Sequence, residues 1–209
     1  MADRIIVVSV VGRYTAISAK QKSYLPNSAN ASRSTPVCFT EEGQLRSLPS
    51  LLNSYSYYLF GKVVHIIMEK IAVVYWSGTG NTEQMANAIA DGIKEAGAQA
   101  ELFTPGDFSE SNMDSYAKLA FGCPSMGAEQ LEESEFEPMF SAVESKLGGK
   151  KIALFGSYDW GDGEWMRTWQ EQTENAGASM VADGLIVNNT PDEDGLAACV
   201  TLGKILANA

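Results

Sequence analysis

The chain has 209 residues, 45% apolar and 20% charged, which is enough for one core-bearing domain, or one domain with an appendage, and excludes global disorder. The formal charge of −11 is unevenly divided: residues 1–67 carry seven Lys or Arg against three acids, giving +4, and residues 68–209 carry 8 basic and 23 acidic side chains, giving −15. Such an acidic block repels nucleic acid and anionic membranes and is steered toward basic partners, and no apolar run reaches the 18 or so residues that span a bilayer.

Residues 5–11, Ile-Ile-Val-Val-Ser-Val-Val, have the look of a short secretory core, but Asp3 precedes them and no small-x-small cleavage site follows. Residues 12–53 are rich in Ser, Asn, Gln, Thr and Pro with no sustained period, a pattern of loop or disorder. A second apolar patch, Tyr-Ser-Tyr-Tyr-Leu-Phe at 55–60, has no obvious partner. Residues 1–67 therefore read as an N-terminal extension: a flexible basic arm, a peripheral attachment segment, or sequence upstream of a true start at Met68. The break in charge and pattern at Met68-Glu69-Lys70 favours the last.

Beyond Met68 the pattern is regular. Residues 71–75, Ile-Ala-Val-Val-Tyr, form a short apolar run bounded by Gly, Ser and Thr, as a buried central strand requires. Residues 81–96 place Met85, Ala86, Ile89, Ala90 and Ile93 on one helical stripe that stops at Gly97. A strand over 100–103, a weak polar stretch to 115, a strand over 117–123 and a helix over 136–147 follow. Then come a strand over 151–156, a helix over 164–176, a strand over 180–187 and a final helix over 193–208. Five strands alternating with helices in about 140 residues predict an α/β doubly wound parallel sheet with helices on both faces and strand order 2-1-3-4-5.

In such a sheet ligands sit at the carboxyl ends of the strands, so function is sought in the loops 77–82, 124–129 and 157–163. The first combines Gly78 and Gly80 with the hydroxyls of Ser77, Thr79 and Thr82, the amide of Asn81 and a helix N-terminus, a neutral cradle for a phosphate. It lacks the Lys of a Walker loop and the third Gly of a dinucleotide loop; read alone it is equally a Gly-rich turn with a helix cap. Cys38, Cys123 and Cys199 are odd in number and far apart, so neither a disulfide framework nor a zinc site is indicated. The one histidine, His65, lies outside the acidic block, which leaves no base there for a Ser/His or Cys/His hydrolase.

Three segments taken in order, Tyr-Trp-Ser-Gly-Thr-Gly-Asn-Thr-Glu at 75–83, Gly-Cys-Pro-Ser-Met-Gly-Ala-Glu at 122–129 and Phe-Gly-Ser-Tyr-Asp-Trp-Gly-Asp-Gly at 155–163, closely resemble the short-chain flavodoxins of anaerobic bacteria. The resemblance covers residues 68–209 and stops at Met68. It implies noncovalent FMN, with the phosphate in the first loop on Ser77, Thr79, Asn81, Thr82 and backbone N–H groups around Gly78 and Gly80. Ser125, Met126, Gly127, Ala128 and Glu129 would run along the inner flavin face and pyrimidine edge. In that reading Met126 sets a thioether against the ring and Glu129 accepts from flavin N3–H. The Gly127-Ala128 carbonyl would turn toward flavin N5 in the semiquinone.

Ser157, Tyr158, Asp159, Trp160, Gly161 and Asp162 would form the third loop, with Trp160 stacked on the outer face and Asp159 adding a charge where a small residue is usual. Trp165 and Trp169, four apart in a helix, read as packing residues. Each acid of the run Glu129, Glu132, Glu133, Glu135 and Glu137 reads singly as solvated surface, and together they oppose an anionic hydroquinone. The resemblance thus implies a cytoplasmic, monomeric carrier of single electrons through the semiquinone/hydroquinone couple, without a small-molecule substrate. It would exchange electrons with redox proteins bearing basic docking faces, and bind neither nucleic acid nor membrane. A flavin-dependent reductase and a noncatalytic phosphate-binding module on the same fold are the alternatives.

Overall fold

A computed structural model describes residues 37–39, 45–47, 54–59 and 62–67 as backbone, and residues 68–209 in full. The chain divides into two compact units, Met1–Met68 and Glu69–Ala209. In the first, β1 (Val37–Phe39) pairs antiparallel with β2 (Leu45–Ser47), and β3 (Ser54–Leu59) pairs antiparallel with β4 (Lys62–Ile67). The stretch expected as loop thus contains the β1–β2 pair, and the Tyr-rich patch has a partner strand rich in β-branched residues, which suit a pleated surface. The apolar run at 5–11 lies outside the described residues.

The second unit alternates as the hydrophobic pattern predicts. Its elements are β5 (Lys70–Tyr75), α1 (Asn81–Glu95), β6 (Gln99–Phe103), α2 (Glu110–Met113), β7 (Lys118–Gly122), α3 (Phe136–Val143), β8 (Lys151–Tyr158), α4 (Glu164–Asn175), β9 (Ser179–Met180), β10 (Leu185–Asn188) and α5 (Glu193–Asn208). The strands are parallel and ordered β6-β5-β7-β8-β10, which is 2-1-3-4-5 counted within this unit.

Alternation along β5 divides the core in two. Ala72 and Val74 face one layer with Leu119, Phe121, Ile152 and Leu154, beneath Phe136, Phe140 and Trp169 of α3 and α4. Ile71 and Val73 face the other with Ala120, Ala153 and Phe155, beneath Met85, Ile89, Cys199 and Leu206 of α1 and α5. With helices on both faces the interiors of β5 and β7, and β8 from Ile152 to Phe155, are apolar and read as continuous hydrophobic runs, whereas the edge strand β6 carries Glu101. Because β6 and β7 flank β5 on opposite sides, the crossovers diverge at its carboxyl end and open a crevice there.

Three details differ from the sequence expectation. The fifth strand is in two pieces: β9 pairs with Lys151 and Ile152, and β10 with Phe155 to Tyr158. Between them Asp183-Gly184 turns away, with Gly184 N–H donating to Gln170 Oε1 at 2.9 Å. The polar stretch after β6 holds a 3-10 turn, Pro105–Asp107, and α2, closed by a capping box between Ser109 and Asn112. The helix expected over 136–147 ends at Val143 and tightens into a 3-10 turn, Glu144–Lys146.

Candidate functional site

Loop one leaves β5 at Tyr75 and enters α1 through Gly80, which caps the helix at φ +88°, a left-handed conformation open to glycine. The Ser77 hydroxyl accepts the N–H groups of Gly80 and Glu83 at 3.1 and 3.2 Å, wrapping the loop around the helix end. Asn81 and Thr82 present N–H groups with no acceptor among the described residues, the usual state of a first helical turn. Gly78 lies over the Trp76 indole, which a Cβ would meet at 2.9 Å. Thr79 is exposed, whereas Thr82 is buried with its hydroxyl 3.1 Å from that of Ser157.

Loop two is held at both ends. Ser125 N–H donates to Ser157 O at 2.9 Å, and Met126 and Gln130 exchange both backbone hydrogen bonds at 2.9 Å. That bridge pinches residues 127–129 into a tip in which Gly127 (φ +49°) and Glu129 (φ +53°) are both left-handed. A left-handed Glu is disfavoured, and its side chain has a use that offsets the cost: Glu129 Oε1 accepts from Gly163 N–H and Glu164 N–H, at 2.9 and 3.1 Å. The Glu129 carboxylate thus sits on the N-terminus of α4, where the helix dipole favours negative charge.

The far end of loop two is anchored by Glu132. Its carboxylate accepts from Ser134, Glu135 and Phe136 N–H at 2.9, 2.8 and 2.9 Å, capping α3, while its own N–H donates to Cys123 Sγ at 3.3 Å. Burial pushes the Glu132 carboxyl up, and the donors from Phe136, Glu135 and Ser134 outweigh that, holding it below the usual carboxylate range. Burial pushes the Cys123 thiol up to about 12, so it stays protonated and unreactive at neutral pH. The solvated-surface reading fails for Glu132, which is 6% exposed; its backbone donors substitute for water.

Loop three is shorter than expected, because β8 runs through Tyr158. Ser157 and Tyr158 are therefore strand residues, and the loop proper begins at Asp159. Ser157 is buried, and the Tyr158 ring packs 5.6 Å from that of Trp165. Asp159, Trp160, Gly161 and Asp162 are exposed. Trp160 is 56% exposed, against 2% for Trp165 and 1% for Trp169, so the packing assignment of the latter two holds. A Cβ on Gly161, at φ +90°, would run into the Glu129 carboxylate, so glycine there lets loops two and three close. Asp162 pairs with Arg167 Nη2 at 2.7 Å, and Arg167 Nη1 donates to Asp162 O at 2.8 Å.

Loops one and two are thus each bonded to Ser157 of β8 at the carboxyl edge of the sheet, and loop two also to Gly163 at the end of loop three; Met126 and Trp160 are exposed large apolar side chains on these loops. Loop one brings neutral hydroxyl and amide donors, Met126 and Trp160 bring exposed apolar faces, and Glu129 brings a carboxylate. Sequence reasoning did not single out Glu132 or Arg167 as anchors. The signal for Glu132 is its place four residues before the first apolar residue of α3, where a side chain reaches back over the first turn.

The sequence profile of the Flavodoxin family matches residues 73–203. A flavodoxin of Clostridium beijerinckii is 48% identical over 136 residues, covering 65% of this chain and 98% of that protein. One of Megasphaera elsdenii is 46% identical over 142 residues, covering 66% and 99%. The solution structure of the two-electron reduced Megasphaera elsdenii flavodoxin superposes with a TM-score of 0.62 at 45% identity, over 66% of this chain and 99% of that one. An archaeal flavodoxin superposes at 0.61 with 26% identity, over 66% and 96%.

Proposed function

The chain belongs to the flavodoxin family, and from that premise we propose that the three loops hold FMN for low-potential electron transfer between redox proteins. When bound, the flavin supplies one-electron chemistry, while the protein supplies binding, orientation and electrostatics. The residues present suit the group. The dianion of a phosphate monoester only accepts hydrogen bonds, and loop one offers hydroxyls at Ser77, Thr79 and Thr82, the Asn81 amide and N–H groups at a helix N-terminus, with no Lys or Arg among residues 77–82.

Trp160 offers an indole and Met126 a thioether for the ring faces, both of which favour aromatic surfaces. Glu129 keeps Oε2 for a ring N–H while Oε1 holds α4. Ser125, Gly127 and Ala128 would lie along the ring edge with Asp159, Gly161 and Asp162 opposite, and Tyr158 would support Trp160 from within the strand. The observation that carries this reading is the exposure of Trp160 on the loop that follows Ser157, the strand residue to which loops one and two are both bonded.

The finer assignment is a monomeric cytoplasmic carrier with no small-molecule substrate of its own, docking on basic faces of its partners. Its support is the charge around the site. Glu129, Asp159 and Asp162 lie on its loops, exposed Glu133 and Glu135 follow loop two in the chain, and Arg167, the basic residue next to loop three, is paired with Asp162. Anaerobic dithionite titration of the purified protein, followed by visible absorption, tests the function. Flavin bands that bleach in two one-electron stages support it; a colourless protein that takes up no added FMN rejects it.

A further inference from the structure

We propose that Ser157 is a positioning residue for phosphate recognition. Its hydroxyl donates to Thr82 Oγ1 and so commits the Thr82 hydroxyl to the phosphate, making this buried pair a determinant of selection for phosphorylated over unphosphorylated flavin. The inference rests on the FMN reading above.

The two hydroxyl oxygens lie 3.1 Å apart across 75 residues of sequence, and the residues are 1% and 5% exposed. Each hydroxyl has one proton to give and can accept twice. Neither has another side-chain partner among the described residues, and either can be the donor in their mutual bond. The dianion of a phosphate monoester, the main form above its second pKa of about 6, removes that freedom. It has only acceptors to offer, so when the single Thr82 proton points to it, the proton between the two hydroxyls must come from Ser157. The result is a directed chain, Ser157 to Thr82 to phosphate, in which each bond polarises the next and the last is charge-assisted.

Ser157 is suited to aim its neighbour because its own position is fixed by the sheet. It is the penultimate residue of β8, in register with Val187 of β10. Its carbonyl receives Ser125 N–H at 2.9 Å, and the chain continues directly into the loop bearing Trp160. One strand residue thus touches the phosphate loop through its side chain and the middle loop through its backbone, and begins the approach to the third. Groups carried on a strand hold their geometry better than groups on a loop.

The test measures dissociation constants for FMN and for riboflavin by flavin fluorescence, using the full 209-residue chain stripped of flavin. Wild type, Ser157→Ala, Thr82→Val and the double variant complete a cycle. The expected result is a loss of about 5- to 10-fold in FMN affinity for Ser157→Ala, the scale of one hydrogen bond, with riboflavin affinity unchanged within about twofold. In the Thr82→Val background the same substitution should cost nothing further, because no threonine proton remains to be committed.

Equal losses for FMN and riboflavin would overturn the proposal by showing only a damaged site. So would a full additional loss on Thr82→Val, which would mean that Ser157 acts independently. Should Thr82→Val leave FMN affinity intact, or wild type hold riboflavin as tightly as FMN, the phosphate placement itself is wrong and the inference falls with it. If Ser157→Ala folds poorly, Ser157→Thr and Ser157→Val, nearly equal in shape and differing in the hydroxyl, give the same comparison.

Discussion

Neighbouring carboxylates in one acidic run have opposite fates. Glu133 is exposed, while Glu132 is buried and accepts three backbone N–H bonds. With its folded pKa depressed, Glu132 contributes stability that is fully present above the unfolded value of about 4.3 and is lost as pH falls through the folded value. Glu132→Gln keeps one acceptor but loses the charge-assisted bonds, so it should cost about 2 kcal/mol in urea unfolding at pH 7. The deficit should shrink as pH falls from the unfolded value through the depressed folded one and wild type itself becomes protonated, and an undiminished deficit there would show that shape rather than charge is the cause. In the sequence only its spacing to Phe136 separates Glu132 from Glu133, and that spacing acquires meaning once it is known where the chain turns into α3.

The exposure of Trp160 was legible for the opposite reason. Trp165 and Trp169 share a helical stripe with Met166, whereas Trp160 stands among glycines and aspartates that build no core. In the proposed stack the exposed indole gains a partner only when the flavin binds, so Trp160→Ala should weaken FMN binding by about tenfold or more, from stacking of about 0.5–1.5 kcal/mol plus lost apolar burial. It should leave urea unfolding of the flavin-free protein unchanged. A stability loss without FMN would place the ring in the fold instead.

At the scale of elements, α1 and α5 meet through glycines. A Cβ on Gly92 would strike the Val200 carbonyl, and one on Gly203 the Ile89 carbonyl. In an open helix Gly→Ala gains about 1 kcal/mol, but here the methyl must separate two backbones, an overpacking cost of about 1–3 kcal/mol. Gly203→Ala should therefore destabilise the protein in urea, and a stabilised variant would mean that the helices part freely. The stripe on α1 and the run of β5 were readable because their period equals that of the element they form. The split of the fifth strand was not, since Met180-Val181-Ala182 continues an apolar run and the bend depends on Gly184 passing Met166. The β1–β2 pair has three-residue strands, too short to carry a period.

At the scale of the molecule, charge is sorted along the strands. Lys70, Lys118 and Lys151 are the first residues of β5, β7 and β8, and in a parallel sheet those ends share the edge opposite the site. Lys70 and Lys118 pair there with Glu101 and Glu69, at 2.8 and 2.9 Å. The sorting was hidden in the sequence total, because a net charge has no direction until the strand order is known. Acids near the flavin disfavour addition of an electron, and the size of the effect follows from distance. A charge about 12 Å away at an effective dielectric of about 40 contributes about 0.7 kcal/mol, or about 30 mV for one electron.

Asp159 is exposed and adjoins Trp160, so Asp159→Asn should raise the lower midpoint potential by about that amount. Glu95 provides the control. It is the last residue of α1, whose first turn adjoins loop one, and 15 residues of helix put it about 20 Å from that loop, beyond the Debye length of about 8–10 Å. Glu95→Gln removes the same unit charge and should move the potential by less than about 5 mV at physiological salt. Equal shifts for the two variants would mean that net charge alone sets the potential and that its placement at the site edge has no redox consequence. A shift for Asp159→Asn that disappears in 1 M salt, where the Debye length is about 3 Å, would assign the effect to the solvent-facing field and not to contact with the ring.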